Sequence, residues 1–199
     1  PIIIDINFIK KEIGNINYDS NKDIVEIGSL STYTDILESG IIKDKVPVIA
    51  KSAFTVGGRQ IQNMGTLGGM LGTATPAADL TLALLVMEAD IYLYSRRGCR
   101  KVALKDFFTG YRQTLREPDE IIVNATMPVQ NNDEKYTFVK IGGRRGQVIA
   151  ISAFCGRLIL SQDKKEIKKA FISAASSGPY SLRLENTENY LTGKKITSL

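Results

Sequence analysis

Residues 55–80 read Thr-Val-Gly-Gly-Arg-Gln-Ile-Gln-Asn-Met-Gly-Thr-Leu-Gly-Gly-Met-Leu-Gly-Thr-Ala-Thr-Pro-Ala-Ala-Asp-Leu, and no other stretch of the chain concentrates so many glycines and small residues. Glycine lacks a Cβ, so the main chain can turn through conformations closed to other residues and lie close against a neighbour. Successive N–H groups in such a loop form a concave nest that suits an anion. The segment then reaches Thr75-Pro76, which reads as a helix start with Asp79 in the first turn. A glycine loop feeding a helix N-terminus is a sound phosphate site. The expectation is an open loop holding a phosphate-bearing cofactor. The glycine spacing, with no acidic residue in the expected place after it, excludes a Rossmann fingerprint. The absence of Gly-Lys-Ser/Thr excludes a Walker loop.

The rest of the composition narrows the chemistry. There is no histidine, which removes the usual general base, the Ser-His and Cys-His dyads and the commonest metal ligand. The two cysteines, Cys99 and Cys155, cannot complete a structural zinc site or ligate an iron–sulphur cluster, and read as structural thiols. No metal site and no catalytic side chain are assigned, so the reactive group of any redox chemistry belongs to a cofactor. The formal net charge is +5, from basic residues scattered over turns and exposed faces rather than drawn into a stripe with aromatics, and nucleic-acid binding is not expected. Leu80–Met87 is too short an apolar run to cross a bilayer. The opening Pro-Ile-Ile-Ile-Asp has no signal-peptide pattern. A cytoplasmic protein without membrane insertion is expected.

Short β-branched runs bounded by polar turns predict strands over 2–6 and 23–29. A short helix is expected over Ser31–Leu37 with Thr32 as its cap, and another after Pro47 up to Phe54. Pro76–Ala89 is the strongest helix signal, apolar nearly all round and therefore buried. Asp90–Ser95 and Cys99–Leu104 form a hairpin about Arg97-Gly98. A short helix follows over Lys105–Tyr111, then a strand over Glu120–Met127 stopped by Pro128. Lys135–Ile141, Gln147–Leu160 and Glu166–Ala175 predict an antiparallel meander, and Leu182–Leu191 a helix. Strands and helices mix without a steady βαβ alternation, which predicts an α+β fold.

An ordered set of motifs runs along this framework. It comprises Gln60-Ile61-Gln62-Asn63, then Gly65-Thr66-Leu67-Gly68-Gly69-Met70, then Ala74-Thr75-Pro76-Ala77-Ala78-Asp79-Leu80. Ile4-Asp5-Ile6 with Ile27-Gly28-Ser29 precede them. Leu104–Gly110, Pro118–Ile122 up to Pro128, Phe138-Val139-Lys140 with Arg144-Arg145, and Glu188 through Leu191–Lys194 follow. In order and spacing this resembles the flavoprotein subunit of the molybdenum hydroxylases, a group that includes the medium subunit of carbon monoxide dehydrogenase and the flavin domain of xanthine dehydrogenase.

The resemblance implies an FAD-binding fold of the vanillyl-alcohol-oxidase type over residues 1–128 and a smaller C-terminal domain over 129–199. It implies FAD diphosphate held by the backbone around Thr66, Leu67, Gly68 and Gly69, with polar contacts from Thr73, Thr75 and Asp79. Val56, Ile122 and Lys140 match positions that touch the cofactor. Met70 stands where the family often has Asn or Asp, and a thioether does not supply the same hydrogen bonds. The family's first glycine loop, approximately Ala-Gly-Gly-Thr-Asp-Leu, is expected upstream of Pro1 and its helical tail beyond Leu199. This sequence by itself is therefore expected to bind FAD weakly or not at all.

The implied function is that of an oxidoreductase component. FAD would take electrons from 2Fe–2S clusters on a small partner subunit, fed by molybdopterin on a large one, and pass them to NAD, a quinone or oxygen. Two alternatives stay open: a cofactor-free scaffold that kept the fold, and a flavoenzyme acting alone, for which the sequence offers no nameable proton donor.

Overall fold

The computed structural model describes residues 3–144 and 147–196. Ile2 of the first expected strand and Arg145 of the Arg144-Arg145 pair lie outside the described residues.

The chain opens with extended backbone and a 3-10 turn over Asn7–Ile9, then α1 (Lys10–Ile13), β1 (Ile16–Asp19) and β2 (Ile24–Gly28). The strand expected over 2–6 is not formed over its described part. Ile3 and Ile4 are exposed, and the partner position beside β2 is taken by β1, with Ile16 opposite Ile27. Three helices follow in close succession: α2 (Tyr33–Glu38), α3 (Gly40–Lys45) and α4 (Pro47–Phe54). Thr32 caps α2 as expected. Its hydroxyl accepts from the Asp35 N–H while the Asp35 carboxylate accepts from the Thr32 N–H, a reciprocal capping box. Pro47 begins α4 at the position where its missing N–H costs nothing.

The glycine-rich segment is not an open loop. It forms α5 (Arg59–Met64) and α6 (Leu67–Thr73). Nor does the next helix begin at Pro76: α7 runs Asp79–Val86. Residues 74–78 are a turn, pinned where the Pro76 carbonyl accepts from the Ser176 N–H at 3.0 Å and the Ser181 hydroxyl at 3.4 Å. All eight residues of α7 are buried, as its all-round apolar sequence requires.

After α7 come β3 (Asp90–Ser95), β4 (Gly98–Ala103), α8 (Leu104–Phe107), β5 (Phe108–Gly110), β6 (Gln113–Thr114) and β7 (Ile121–Pro128). The helix expected over Lys105–Tyr111 is thus one turn followed by a strand. The first sheet has the order β1-β2-β7-β3-β4, antiparallel throughout, and its inward residues Val25, Ile27, Ile91, Leu93, Ala125 and Met127 are buried. A second sheet contains β8 (Glu134–Ile141), β9 (Ser152–Leu160), β10 (Ile167–Ala175) and the short β11 (Leu182–Arg183), in the order β11-β10-β9-β8. This is the expected meander, with β9 starting later than its apolar run. The final helix α9 covers Glu185–Leu191, since the first two residues of the expected helix pair with β10 instead.

Helix α7 packs on β9 and β10 of the second sheet and on α4. Two arginines join its C-terminal end to that sheet. Arg157, paired with Glu134 at 2.6 Å, donates to the Val86 carbonyl, and Arg183, paired with Glu188, donates to the Leu85 carbonyl. Both guanidinium groups lie 4.8 Å from the centre of the Phe171 ring. No helix among the described residues is long and apolar enough to cross a membrane. The same residues contain no group of three or more His, Cys, Asp or Glu side chains able to hold a metal ion. Both thiols are free: Cys99 is exposed on β4, and burial pushes the Cys155 thiol on β9 up to about 12.

Candidate functional site

The site begins where α4 ends. Thr55 closes that helix and Gly57 (φ +53°) turns the chain into α5; a Cβ at Gly57 would stand 2.8 Å from the Ile61 side chain. Helix α6 is then docked edge-on against the strand end that follows β2. The Leu67 N–H donates to the Ser31 carbonyl (3.0 Å) and the Gly68 N–H to the Ser29 carbonyl (2.7 Å). Gly68 is required for that approach, because a Cβ there would lie 2.8 Å from the Ser29 Cβ. The Gly69 N–H is taken by the capping hydroxyl of Thr66 at 3.1 Å. The amides of Leu67, Gly68 and Gly69 are therefore already paired inside the protein. The expected nest of free N–H groups is not present over these three residues, for the same reason the segment is helical.

The polar floor of the site comes from three elements. Asp79, the first residue of α7, receives the Lys140 ammonium from β8 at 2.5 Å, and both side chains are nearly fully buried. Lys140 also donates to the Thr55 carbonyl at 3.0 Å. The Thr55 hydroxyl lies 3.1 Å from Asp79 Oδ2 and 2.7 Å from the Ser52 carbonyl, so its single proton is shared. Asp79 Oδ1 is sealed from solvent and has no hydrogen-bond partner among the described residues. Burial pushes the Asp79 carboxyl above the ordinary carboxylate range, against Lys140 and Thr55, which pull it down. A buried carboxylate with one oxygen unmatched is costly unless a donor reaches it.

These groups open on a cleft of about 580 Å³. Of the residues singled out in the sequence, Val56, Thr66, Gly69, Met70, Thr73, Thr75, Asp79 and Lys140 all line it. Gly68 and Ile122 line a second cleft of similar volume, together with Arg116 and Glu120; the two clefts share Thr66, Gly69 and Thr73, so they flank the start of α6. Leu67 lines neither and is fully buried in the core. Thr75 does not cap α7; it sits in the turn before it. Met70 turns its thioether toward the Thr81 hydroxyl, 3.6 Å away, and presents an apolar surface to the cleft.

The remaining wall is apolar: Ile61 and Met64 from α5, Val148 and Ile149 from the segment before β9. Such a cleft, apolar in its walls with a few converging polar groups, suits a flat ring bearing polar edges. Sequence reasoning missed Tyr33 and Thr55. Neither belongs to a motif, and the contact of Thr55 with Lys140 spans 85 positions of sequence, which no local pattern reports. In the second cleft Glu120 is bound through both oxygens by Arg100, at 2.6 and 2.9 Å, which holds its carboxyl down at about 2.

Comparison with known proteins places this geometry in a wider set. A family described as the FAD binding domain in molybdopterin dehydrogenase matches residues 1–130. The glyceraldehyde dehydrogenase medium chain of Sulfolobus acidocaldarius is 32% identical over 195 residues, covering 98% of this chain and 66% of the relative. The nicotinate dehydrogenase FAD-subunit of Eubacterium barkeri is 32% identical over 200 residues, again covering 98% and 66%. Among solved structures, a carbon monoxide dehydrogenase from Hydrogenophaga pseudoflava which lacks the Mo-pyranopterin moiety of the molybdenum cofactor superposes with a TM-score of 0.89. It is 26% identical, over 94% of this chain and 64% of that one. The chain thus spans about two thirds of the length of the curated relatives it matches.

Proposed function

The chain belongs to the family of FAD-binding domains of molybdopterin dehydrogenases, and from that premise we propose that it binds FAD in the cleft floored by Asp79 and Lys140. The observation that carries this reading is the buried Asp79–Lys140 pair at the base of a cleft that brings together Val56, Thr66, Gly69 and Thr73, with apolar walls from Ile61, Met64, Val148 and Ile149. Lys140 and the hydroxyl of Thr66 offer donors around the floor of the cleft, while the Thr73 hydroxyl, which donates to the Gly69 carbonyl at 2.7 Å, offers a lone pair. Because the amides of Leu67, Gly68 and Gly69 are paired internally, α6 supports the cofactor through close backbone approach and these hydroxyls rather than through an open amide nest. Val56, Met70 and Ile149 exclude water from the ring.

FAD supplies the electron-transfer chemistry; the residues of this chain bind it, orient it and keep it dry. In the same reading the chain is the flavin subunit of a cytoplasmic complex. A small iron–sulphur subunit delivers electrons, a large molybdopterin subunit oxidises the substrate, and NAD, a quinone or oxygen receives the electrons. The relatives' names, a medium chain and an FAD-subunit of dehydrogenases, support this assignment. Residues 1–128 form the flavin-binding unit and 129–199 the C-terminal one, a division supported by the change of sheet between Pro128 and Glu134. Lys140 then reaches across from the second unit to complete the site of the first.

A second reading, a scaffold without cofactor, is favoured by the internal pairing of the α6 amides. Flavin analysis of the natively purified protein separates the two. FAD in stoichiometric amount is the expected result; a protein that contains no flavin and takes none up on titration with FAD supports the scaffold.

A further inference from the structure

Tyr33 lies in the wall of the Asp79 cleft, and the assigned chemistry does not use it. It is the first residue of α2, placed by the Thr32 cap, and its N–H donates to the Gly65 carbonyl at 3.1 Å. Its ring packs against the main chain at Gly65, where a Cβ would come within 2.7 Å of Cε2. The ring is therefore fixed from two sides and only 6% exposed. The hydroxyl makes no hydrogen bond to any described residue, and Tyr33 stands in the wall of the cleft, where a bound molecule can supply the partner. Burial, and after it the Asp79 carboxylate, push the phenol above its ordinary range. It stays protonated at any working pH and acts as a donor.

We propose that Tyr33 is a positioning residue of the cofactor site: from the wall of the cleft floored by Asp79 and Lys140, its hydroxyl donates to an acceptor atom of the bound flavin nucleotide. FAD carries such acceptors on the imide edge of its ring and again along its ribityl chain. The assignment rests on the FAD reading above, and deepens it by naming a residue that sets the cofactor's register in the cleft.

Tyr33→Phe tests it, because the ring packing against Gly65 is kept and only the hydroxyl is lost. In the natively assembled protein, stripped of flavin and titrated with FAD, the variant is expected to bind about tenfold more weakly, the loss of one hydrogen bond. The bound flavin's absorption bands should shift, and the thermal midpoint of the flavin-free protein should not change. Repeating the titration with lumiflavin, which keeps the ring and lacks the ribityl chain, locates the partner. A loss shared by both ligands puts it on the ring; a loss confined to FAD puts it on the chain. Wild-type protein that binds FAD while Tyr33→Phe binds it equally, with the same spectrum, overturns the role of Tyr33 and leaves the FAD site standing. Wild-type protein that takes up no FAD overturns the site itself, and the role of Tyr33 with it.

Discussion

Helices α6 and α7 border the same cleft and have nearly the same length, seven and eight residues, but they are held by opposite means. Helix α7, Asp-Leu-Thr-Leu-Ala-Leu-Leu-Val, buries every residue, and its place between β9, β10 and α4 follows from apolar area removed from water. Helix α6, Leu-Gly-Gly-Met-Leu-Gly-Thr, buries only Leu67, Met70 and Leu71. It is held besides by main-chain hydrogen bonds to the Ser31 and Ser29 carbonyls, the second of which needs glycine at position 68. One helix is located by what its side chains exclude, the other by how near its backbone can come. The cleft exists because the second kind leaves room beside the first.

Lys140→Met attacks the joint at the start of α7 and should have the largest effect. It leaves Asp79 buried without its counter-ion, a loss of about 3–5 kcal/mol, measurable by urea unfolding at neutral pH. The sign of its pH dependence follows from burial. The Asp79 carboxyl, already raised in the fold, rises further without the ammonium. The folded state then holds its proton more tightly than the unfolded state does. The variant should therefore recover stability as pH falls into the ordinary carboxylate range and lose it as pH rises through the raised value. A variant as stable as wild type at neutral pH would mean that α7 does not depend on this anchor.

Gly68→Ala tests the other helix. The added methyl meets the Ser29 Cβ at 2.8 Å and the Ser29 carbonyl oxygen at 3.1 Å, and the strain should amount to about 1–3 kcal/mol. Chemical denaturation checks it, and an unchanged midpoint would show that α6 is not docked as described. Gly72→Ala sharpens the contrast with the smallest effect. A methyl there has only Ile122 Cδ1 within 4 Å, at 3.9 Å, so the flavin-free protein should gain about 0.5–1 kcal/mol of helix stability. Because Gly72 lines the second cleft and not the one floored by Asp79, FAD affinity should stay unchanged at the same time. Thermal unfolding without flavin and titration with it read the two quantities separately.

The same contrast sets what could be read from the sequence. Side-chain chemistry made α2 with its Thr32 cap, α4 after Pro47, the β3–β4 hairpin and the buried character of α7 legible. Each depends on local propensity or periodicity. The glycine segment was read as a loop because glycine favours helix poorly, and the Ser29 and Ser31 carbonyls that accept its tertiary hydrogen bonds and override this lie more than thirty positions upstream. The strand expected at 2–6 failed because strand-forming residues need a partner, and β1 occupies the place beside β2. In the site, the sequence placed Asp79 in the first turn of a helix, but the cofactor contacts of Asp79 and Lys140 came from family resemblance. Their pairing at 2.5 Å joins residues 61 apart, and the main-chain contribution of Thr55 carries no sequence signal at all.

The most direct measurement is a crystal or cryo-electron microscopy map of the natively purified protein with FAD. The expected result is nucleotide density in the cleft, lying against Val56, Thr66 and Gly69, with Lys140 still paired to the Asp79 carboxylate beneath it. Density for FAD elsewhere on the chain, or a stretch of protein filling the cleft against Asp79, would contradict it.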